Sequence, residues 1–88
     1  MTEEFRLRTK LALQKIEAVV YTMPECMACD QVIDSLVQKG FVAVEKDLGK
    51  HVQMDNKVRE QYEKQNVAPV VEIQGEYVMP RDVIAGNF

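Results

Sequence analysis

The chain has 88 residues, of which 47% are hydrophobic, and it carries a net charge of −3 with a pI near 5.1. A chain of this length forms one compact domain, its acidic balance argues against a nucleic-acid surface, and no apolar stretch approaches the roughly 18 residues of a membrane span. Because two cysteines are too few for a secreted disulfide scaffold and the start lacks the basic and apolar regions of a signal peptide, we expect a protein of the reducing cytoplasm.

The first half of the chain predicts a β-α-β unit. Residues 17–22 are typical of a buried strand, residues 26–39 of a helix that Gly40 ends, and residues 41–46 of a second strand. Apolar residues are expected to form one stripe along the helix: Ala28, Cys29, Val32, Ile33, Leu36 and Val37. The strands should be parallel with a right-handed crossover, which puts the start of the helix at the carboxyl edge of the sheet, where open α/β sheets place their sites.

The second half of the chain predicts a helix and a β-hairpin. Residues 55–66 indicate a weaker helix, and residues 70–74 and 76–79 indicate two short strands joined at Gly75. The predicted order of elements is therefore β-α-β-α-β-β. Residues 1–15 alternate like a strand at several apolar positions but have a composition that suits a helix, which we favour.

The only two cysteines, Cys26 and Cys29, stand three positions apart at the predicted start of the first helix. A disulfide between them closes so short a loop that the chain-entropy model gives it at most about 2 kcal/mol of stabilisation. A thiolate at a helix start, in contrast, is stabilised by the helix dipole and has its partner within reach. The pair is therefore typical of a reversible redox dithiol.

Two segments of the chain resemble the glutaredoxin family. Residues 21–29 (Tyr-Thr-Met-Pro-Glu-Cys-Met-Ala-Cys) look like the active-site segment of that family, and residues 67–71 (Val-Ala-Pro-Val-Val) resemble the segment that carries its cis-proline. Asp47-Leu48 matches the end of the family's second strand. The resemblance implies a thioredoxin-like α/β fold with a mixed four-stranded sheet. It makes residues 17–82 the core of a single domain over residues 1–88, with residues 1–16 an N-terminal extension and a shortened C-terminal helix.

The expected activity is thiol–disulfide oxidoreduction. Cys26, at the exposed first turn, is expected to attack the target disulfide, and Cys29, on the apolar stripe, to resolve the mixed disulfide. The resemblance implies that the peptide bond before Pro69 is cis and that the Ala68 backbone pairs with an extended substrate; alternatively, Pro69 merely starts an edge strand. The residues expected to contact substrate are Met23, Pro24, Met27, Ala28, Val67 and Ala68.

Departures from the family pattern bear on the source of electrons. Glutathione-using members usually carry a lysine at the position of Met23, a tyrosine at that of Ala28, and a Gly-Gly pair with an acidic residue after the last strand; this sequence has none of these. Residues 68–71 look more like NrdH-type redoxins, which thioredoxin reductase reduces and which donate electrons to ribonucleotide reductase. A Ser-Gly-Phe stretch expected there after the hairpin is missing. We expect no bound cofactor and an indirect use of NADPH through a reductase.

Two other function classes stay open. One is a glutathione-dependent oxidoreductase, which Met23 and Ala28 disfavour. The other is a non-catalytic module that senses redox state or serves as an interaction platform. A metal site built from the two cysteines and His51, the only histidine, is not expected, because His51 lies in a segment that looks exposed.

The end of the chain is too short for the full last helix of glutaredoxins, since residues 83–88 cannot supply it. The apolar residues of the N-terminal extension are candidates to cover the face left open: Phe5, Leu7, Leu11 and Leu13. We therefore expect removal of residues 1–14 to lower stability.

Overall fold

The computed structural model describes residues 16–88, so the helix favoured for residues 1–15 lies outside the described residues. The described elements follow in this order: β1 (Glu17–Thr22), α1 (Met27–Gln38), β2 (Val42–Asp47), α2 (Leu48–Met54), α3 (Asn56–Gln65), β3 (Val70–Ile73), β4 (Glu76–Val78) and α4 (Pro80–Ala85). No helix within residues 16–88 is long and apolar enough to cross a membrane.

The strands form a mixed four-stranded sheet in the order β2-β1-β3-β4, which confirms the predicted fold class. β1 and β2 are parallel, β3 runs antiparallel to β1, and β4 runs antiparallel to β3. Tyr21, near the end of β1, pairs with Val70, the first residue of β3. The residues that follow β1 and those that precede β3 therefore meet at one edge of the sheet.

One face of the sheet packs against α1 and α4 through an apolar core. Its buried members are Ala18, Val20, Val32, Leu36, Val71 and Val83. The predicted stripe on α1 is wrong at Val37, which is 56% exposed. Since each helical residue turns by about 100°, Val37 faces away from the sheet, whereas the buried positions Cys29, Val32 and Leu36 follow the spacing of one helical face.

The other face of the sheet is covered by α2 and α3. Tyr21, Leu48, Val58 and Val70 form its buried cluster. Burial, and after it the nearby carboxylate of Glu72, raise the pKa of Tyr21 to about 12. Burial likewise raises the pKa of Tyr77, which pairs with Glu72 across the hairpin. Both tyrosines thus pack within this cluster.

The sequence prediction missed α2 altogether. This helix begins where Asp47 accepts a hydrogen bond from the backbone N–H of Lys50 at 3.4 Å, and it contains Gly49 and the β-branched Val52, which weaken its helical pattern. The expectation that His51 lies in an exposed segment is wrong as well. His51 is half-buried, and its ring lies 5.0 Å from that of Tyr21 in an edge-on arrangement.

The helix and the hairpin predicted for the second half of the chain are confirmed with small shifts of boundary. The helix predicted over residues 55–66 is α3, whose N-cap Asp55 accepts from the N–H of Lys57 at 2.9 Å. The hairpin turns at Gln74 and Gly75, with φ of 52° and 83° as a tight turn requires. The shortened C-terminal helix is α4, which has 6 residues and which the predicted order of elements had left out.

Candidate active site

The site begins with a turn between β1 and α1 that delivers Cys26 to the helix start. Glu25 adopts a φ of 56° in this turn, and Cys26 is the N-cap of α1 with extended backbone angles. The backbone N–H of Cys29 donates a hydrogen bond to Sγ of Cys26 at 3.1 Å. The sulfur of Cys26 therefore occupies the position that an N-capping oxygen usually takes, where it faces the unpaired N–H groups and the positive end of the helix dipole.

Cys26 and Cys29 form a disulfide, with their Cα atoms 5.2 Å apart. The two residues differ in access to solvent, because Cys29 is only 3% exposed whereas Cys26 is half-buried. This difference follows from helical geometry: Cys26 caps the first turn, and Cys29 lies one turn further on, on the side of α1 that packs against the sheet.

The second half of the site is the segment that leads into β3. The Ala68–Pro69 peptide bond is cis, as the resemblance implied. Pro69 is fully buried, Ala68 is half-buried and Val67 is 51% exposed. Because β3 lies between β1 and β4, the alternative that Pro69 merely starts an edge strand is wrong. The pairing of Tyr21 with Val70 brings this segment to the sheet edge from which the dithiol turn departs.

Gln65 is a site-forming residue that the sequence prediction missed. It is the last residue of α3 and is 8% exposed. Its side-chain amide nitrogen donates to the carbonyl oxygens of Val67 at 2.7 Å and of Pro69 at 2.6 Å. A polar residue at a helix end gives no signal of this contact in the sequence, since the contact forms only once the chain has turned at Asn66.

Exposed apolar side chains belong to both halves of the site. Met23 is 40% exposed and Met27 is 79% exposed, and Val67 carries a similar exposure on the opposite segment. Of the other residues expected to contact substrate, Pro24 is exposed and Ala28 is half-buried. A surface of this kind suits contact with another protein, since flexible methionine side chains adapt to varied partners.

A groove of about 430 Å³ opens beside the dithiol turn. Three of its lining residues come from the turn and the end of β1, and three from the end of the neighbouring strand: Thr22, Met23, Pro24, Glu45, Lys46 and Asp47. The sequence prediction did not assign the charged residues of β2 to the site. Their placement follows from the parallel pairing of β1 with β2, which aligns Thr22 with Asp47.

The charges in the dithiol turn and the first turn of α1 are negative. Glu25 precedes Cys26 and Asp30 lies in the first turn of α1, while residues 22–30 contain no lysine or arginine. Within these two turns, a thiolate at Cys26 is therefore stabilised by backbone N–H groups and the helix dipole and not by a neighbouring cation. The part of the chain that the structure describes holds no group of three or more His, Cys, Asp or Glu side chains arranged to bind a metal ion.

A family model described as Glutaredoxin matches residues 18–78. No curated protein and no solved structure matches the chain. The matched range covers more than half of the chain and contains both segments of the site, the dithiol turn with Cys26 and Cys29 and the segment with the cis bond before Pro69.

Proposed function

Because the chain belongs to the glutaredoxin family, and is thereby a thiol–disulfide oxidoreductase, we propose that it reduces protein disulfides with Cys26 and Cys29 and receives its electrons from a thioredoxin reductase. The observation that carries this proposal is the unequal access of the two sulfurs. A buried Cys29 beside a half-buried Cys26 suits one cysteine for attack on a substrate and the other for resolution.

The proposed reaction has two exchange steps. The thiolate of Cys26 attacks one sulfur of the substrate disulfide, so that a mixed disulfide forms and the other substrate sulfur leaves as a thiolate. The thiolate of Cys29 then attacks Sγ of Cys26, which forms the Cys26–Cys29 disulfide and releases the second substrate thiolate. Two electrons pass to the substrate, and its two thiolates take up the two protons that the dithiol gave up on ionising.

The N–H of Cys29 supports the first step. It already donates to Sγ of Cys26 in the disulfide, at 3.1 Å, and the same N–H can donate to the thiolate once the disulfide is reduced. A hydrogen bond to an ionised acceptor is roughly twice as strong as one to a neutral acceptor. This interaction thus favours the form of Cys26 that attacks.

The substrate is proposed to bind across both segments of the site. Met23, Pro24, Met27 and Ala28 would contact it from the dithiol side, and Val67 from the other. The backbone of Ala68 would pair with an extended stretch of substrate, which is a form of strand addition. Pro69 would hold this segment against the dithiol.

The proposed source of electrons is NADPH, delivered through thioredoxin reductase in a reducing cytoplasm. The absence of a lysine at Met23 and of a tyrosine at Ala28 removes two features of glutathione-using members. Likeness of residues 68–71 to NrdH-type redoxins supports ribonucleotide reductase as a protein substrate. The protein itself would hold no cofactor besides its redox-active disulfide.

A glutathione-dependent activity is the second candidate, and one observation favours it. The groove beside the dithiol turn contains Lys46, a cation that could bind a carboxylate of glutathione near Cys26. Glu45 and Asp47 flank Lys46 in the same groove and weaken its attraction for an anion. We therefore rank this activity below the first.

The two candidates are separated by supplying the oxidised protein as the only electron acceptor and following the consumption of NADPH. One reaction contains thioredoxin reductase, and the other contains glutathione with glutathione reductase. We expect rapid consumption with thioredoxin reductase alone, and none above background for the Cys26→Ser/Cys29→Ser double variant. Turnover only with glutathione would establish the second candidate, and no turnover in either reaction would favour a redox-sensing or interaction role.

A further inference from the structure

The side-chain amide of Gln65 is fully hydrogen-bonded. Both of its N–H bonds are directed at carbonyl oxygens of the segment before β3, that of Val67 at 2.7 Å and that of Pro69 at 2.6 Å. Among residues 16–88 it is the one buried residue whose side chain ends in an amide or a charged group. Burying an amide is costly unless it is hydrogen-bonded, so these two donations offset the cost of burying Gln65 and tie it to Val67 and Pro69.

A second glutamine fixes the orientation of this amide. Nε2 of Gln61, one helical turn earlier in α3, donates to Oε1 of Gln65 at 3.0 Å. With the oxygen of Gln65 satisfied by this donor, its nitrogen must face the two carbonyl groups. The pair therefore connects the rigid helix α3 to the segment that carries the cis bond.

The carbonyl groups that Gln65 holds are those on either side of Ala68. Both are turned inward, toward the end of α3. Within the described chain the backbone N–H and C=O of Ala68 make no hydrogen bond of their own. Because the carbonyl groups of Val67 and Pro69 are occupied by Gln65 and the polar groups of Ala68 are not, the backbone of Ala68 is the part of this segment left for another chain.

We propose that Gln65 is a positioning residue for disulfide exchange: it holds the Val67–Pro69 segment so that the backbone of Ala68 can pair with an extended substrate beside Cys26. This inference rests on the proposed function, since it concerns how that reaction selects its substrate. Gln65 does not touch the reacting sulfurs. Its effect is confined to substrates that have a peptide backbone to pair with.

The test uses three substrates and measures the second-order rate constant for oxidation of the reduced full-length protein. One is an extended disulfide-bridged peptide, the second is the same peptide with an N-methyl group on the residue beside the target cysteine, and the third is bis(2-hydroxyethyl) disulfide. N-methylation removes a backbone donor, and the third substrate has no peptide backbone. The variants are Gln65→Met, which keeps the length of the side chain without its amide, and Gln53→Met, the same change at an exposed position of α2.

The wild-type protein should react about tenfold faster with the unmethylated peptide than with its methylated form, which corresponds to about 1.4 kcal/mol. Gln65→Met should reduce this ratio to below about threefold while changing the rate with bis(2-hydroxyethyl) disulfide by less than about twofold. Gln53→Met should behave as the wild type. Equal slowing of all three substrates by Gln65→Met, or an unchanged ratio, would overturn the proposal, as would a wild type that does not distinguish the two peptides.

A milder variant covers the case in which Gln65→Met does not fold. Gln61→Met leaves both donations of Gln65 in place but removes the partner of its oxygen, so it should lower the peptide ratio in the same direction by a smaller factor. An unchanged ratio for Gln61→Met would then overturn the proposal. A wild-type protein that fails even with bis(2-hydroxyethyl) disulfide would instead refute the proposed function, and the role of Gln65 would fall with it.

Discussion

The two ends of the sheet differ in how far their exposed side chains and polar backbone groups have partners within the protein. At the end where β1 finishes, Met27 is 79% exposed and the polar backbone groups of Ala68 have no partner within residues 16–88. At the other end the last residues of the chain contact the segment that precedes β2. Nζ of Lys39 donates to the carbonyl oxygen of Gly86 at 2.9 Å and lies 4.4 Å from the ring centre of Phe88, which in turn packs against Phe41.

We therefore expect one end of the sheet to determine the rate of disulfide exchange and the other to contribute to the stability of the fold. The first end, which we call the dithiol end (residues 22–30 and 65–69), has an exposed apolar side chain and unpaired backbone groups that a substrate could contact. At the second, the closed end (residues 39–42 and 86–88), the side chains contact and hydrogen-bond to each other and to the backbone. Substitutions at exposed positions of the dithiol end should therefore change rates with little effect on stability, and those at the closed end should do the reverse.

The largest expected effect is that of Cys26→Ser. A hydroxyl at this position cannot ionise near neutral pH, so the rate of disulfide reduction should fall by at least about a thousandfold. The free energy of unfolding, compared with that of the reduced wild type by urea denaturation, should change by no more than about 0.5 kcal/mol. A large loss of stability would mean that the dithiol end is not separable from the core.

Tyr21 lies near the dithiol end but is buried, so its substitution should change the stability of the protein. The pKa of Tyr21 is raised from 10.0 to about 12, first by burial and then by Glu72. The folded protein thus holds this proton more tightly than the unfolded chain, so the associated stabilisation is complete below pH 10 and is lost as the pH rises to 12. The wild type should lose stability over this range that Tyr21→Phe does not lose, measured by urea denaturation at several pH values. Parallel curves for the two proteins would contradict this.

Removal of residues 1–14 is expected to lower stability while leaving the chemistry intact. Val37 on α1 and Ile84 on α4 are exposed apolar residues that these N-terminal residues could cover. Burial of even one or two apolar side chains of the N-terminal extension there would contribute about 2 kcal/mol. Thermal unfolding of the truncated and full-length proteins measures this, and an unchanged melting curve would show that the extension covers nothing.

Met27→Glu should weaken contact with protein substrates. The added charge opposes burial of this exposed side chain against a partner, so the rate with a protein disulfide should fall by roughly three- to tenfold while the rate with bis(2-hydroxyethyl) disulfide changes less. Met54→Glu is the matched control, since Met54 is 74% exposed on α2 and lies outside the site. Equal effects of the two substitutions would argue against a docking role for Met27.

The smallest expected effect is at the closed end. Phe88→Ala removes both the contact with Lys39 and the ring contact with Phe41, and it should lower the free energy of unfolding by about 1 kcal/mol. Rates of disulfide reduction should stay within about twofold of the wild type. A larger effect on the rate than on stability would break the separation between the two ends.

The sequence predicted those features that depend on neighbouring residues. The dithiol is visible because its spacing, the preceding apolar strand and the following helix are all local. The hairpin is visible because Gly75 interrupts two β-rich runs. The cis bond before Pro69 was predicted only by resemblance, since nothing in the residues alone distinguishes it from a strand start.

Features that depend on contacts across the fold could not be predicted in this way. The role of Gln65 arises from the return of the chain to the end of α3, and the helix α2 is held by packing of Leu48 and His51 against Tyr21 more than by its own propensity. Lys46 and its neighbours reach the groove only through the register of β2 with β1.

The central claim is that Cys26 attacks the substrate and Cys29 resolves the product, and trapping the intermediate tests it most directly. Reduced Cys29→Ser and Cys26→Ser proteins are each mixed with a disulfide-bridged peptide, quenched with acid and weighed by intact-protein mass spectrometry. The account predicts a stable adduct of one peptide on Cys29→Ser, released by dithiothreitol, and none on Cys26→Ser. An adduct that accumulates only on Cys26→Ser, or on neither variant, would contradict it.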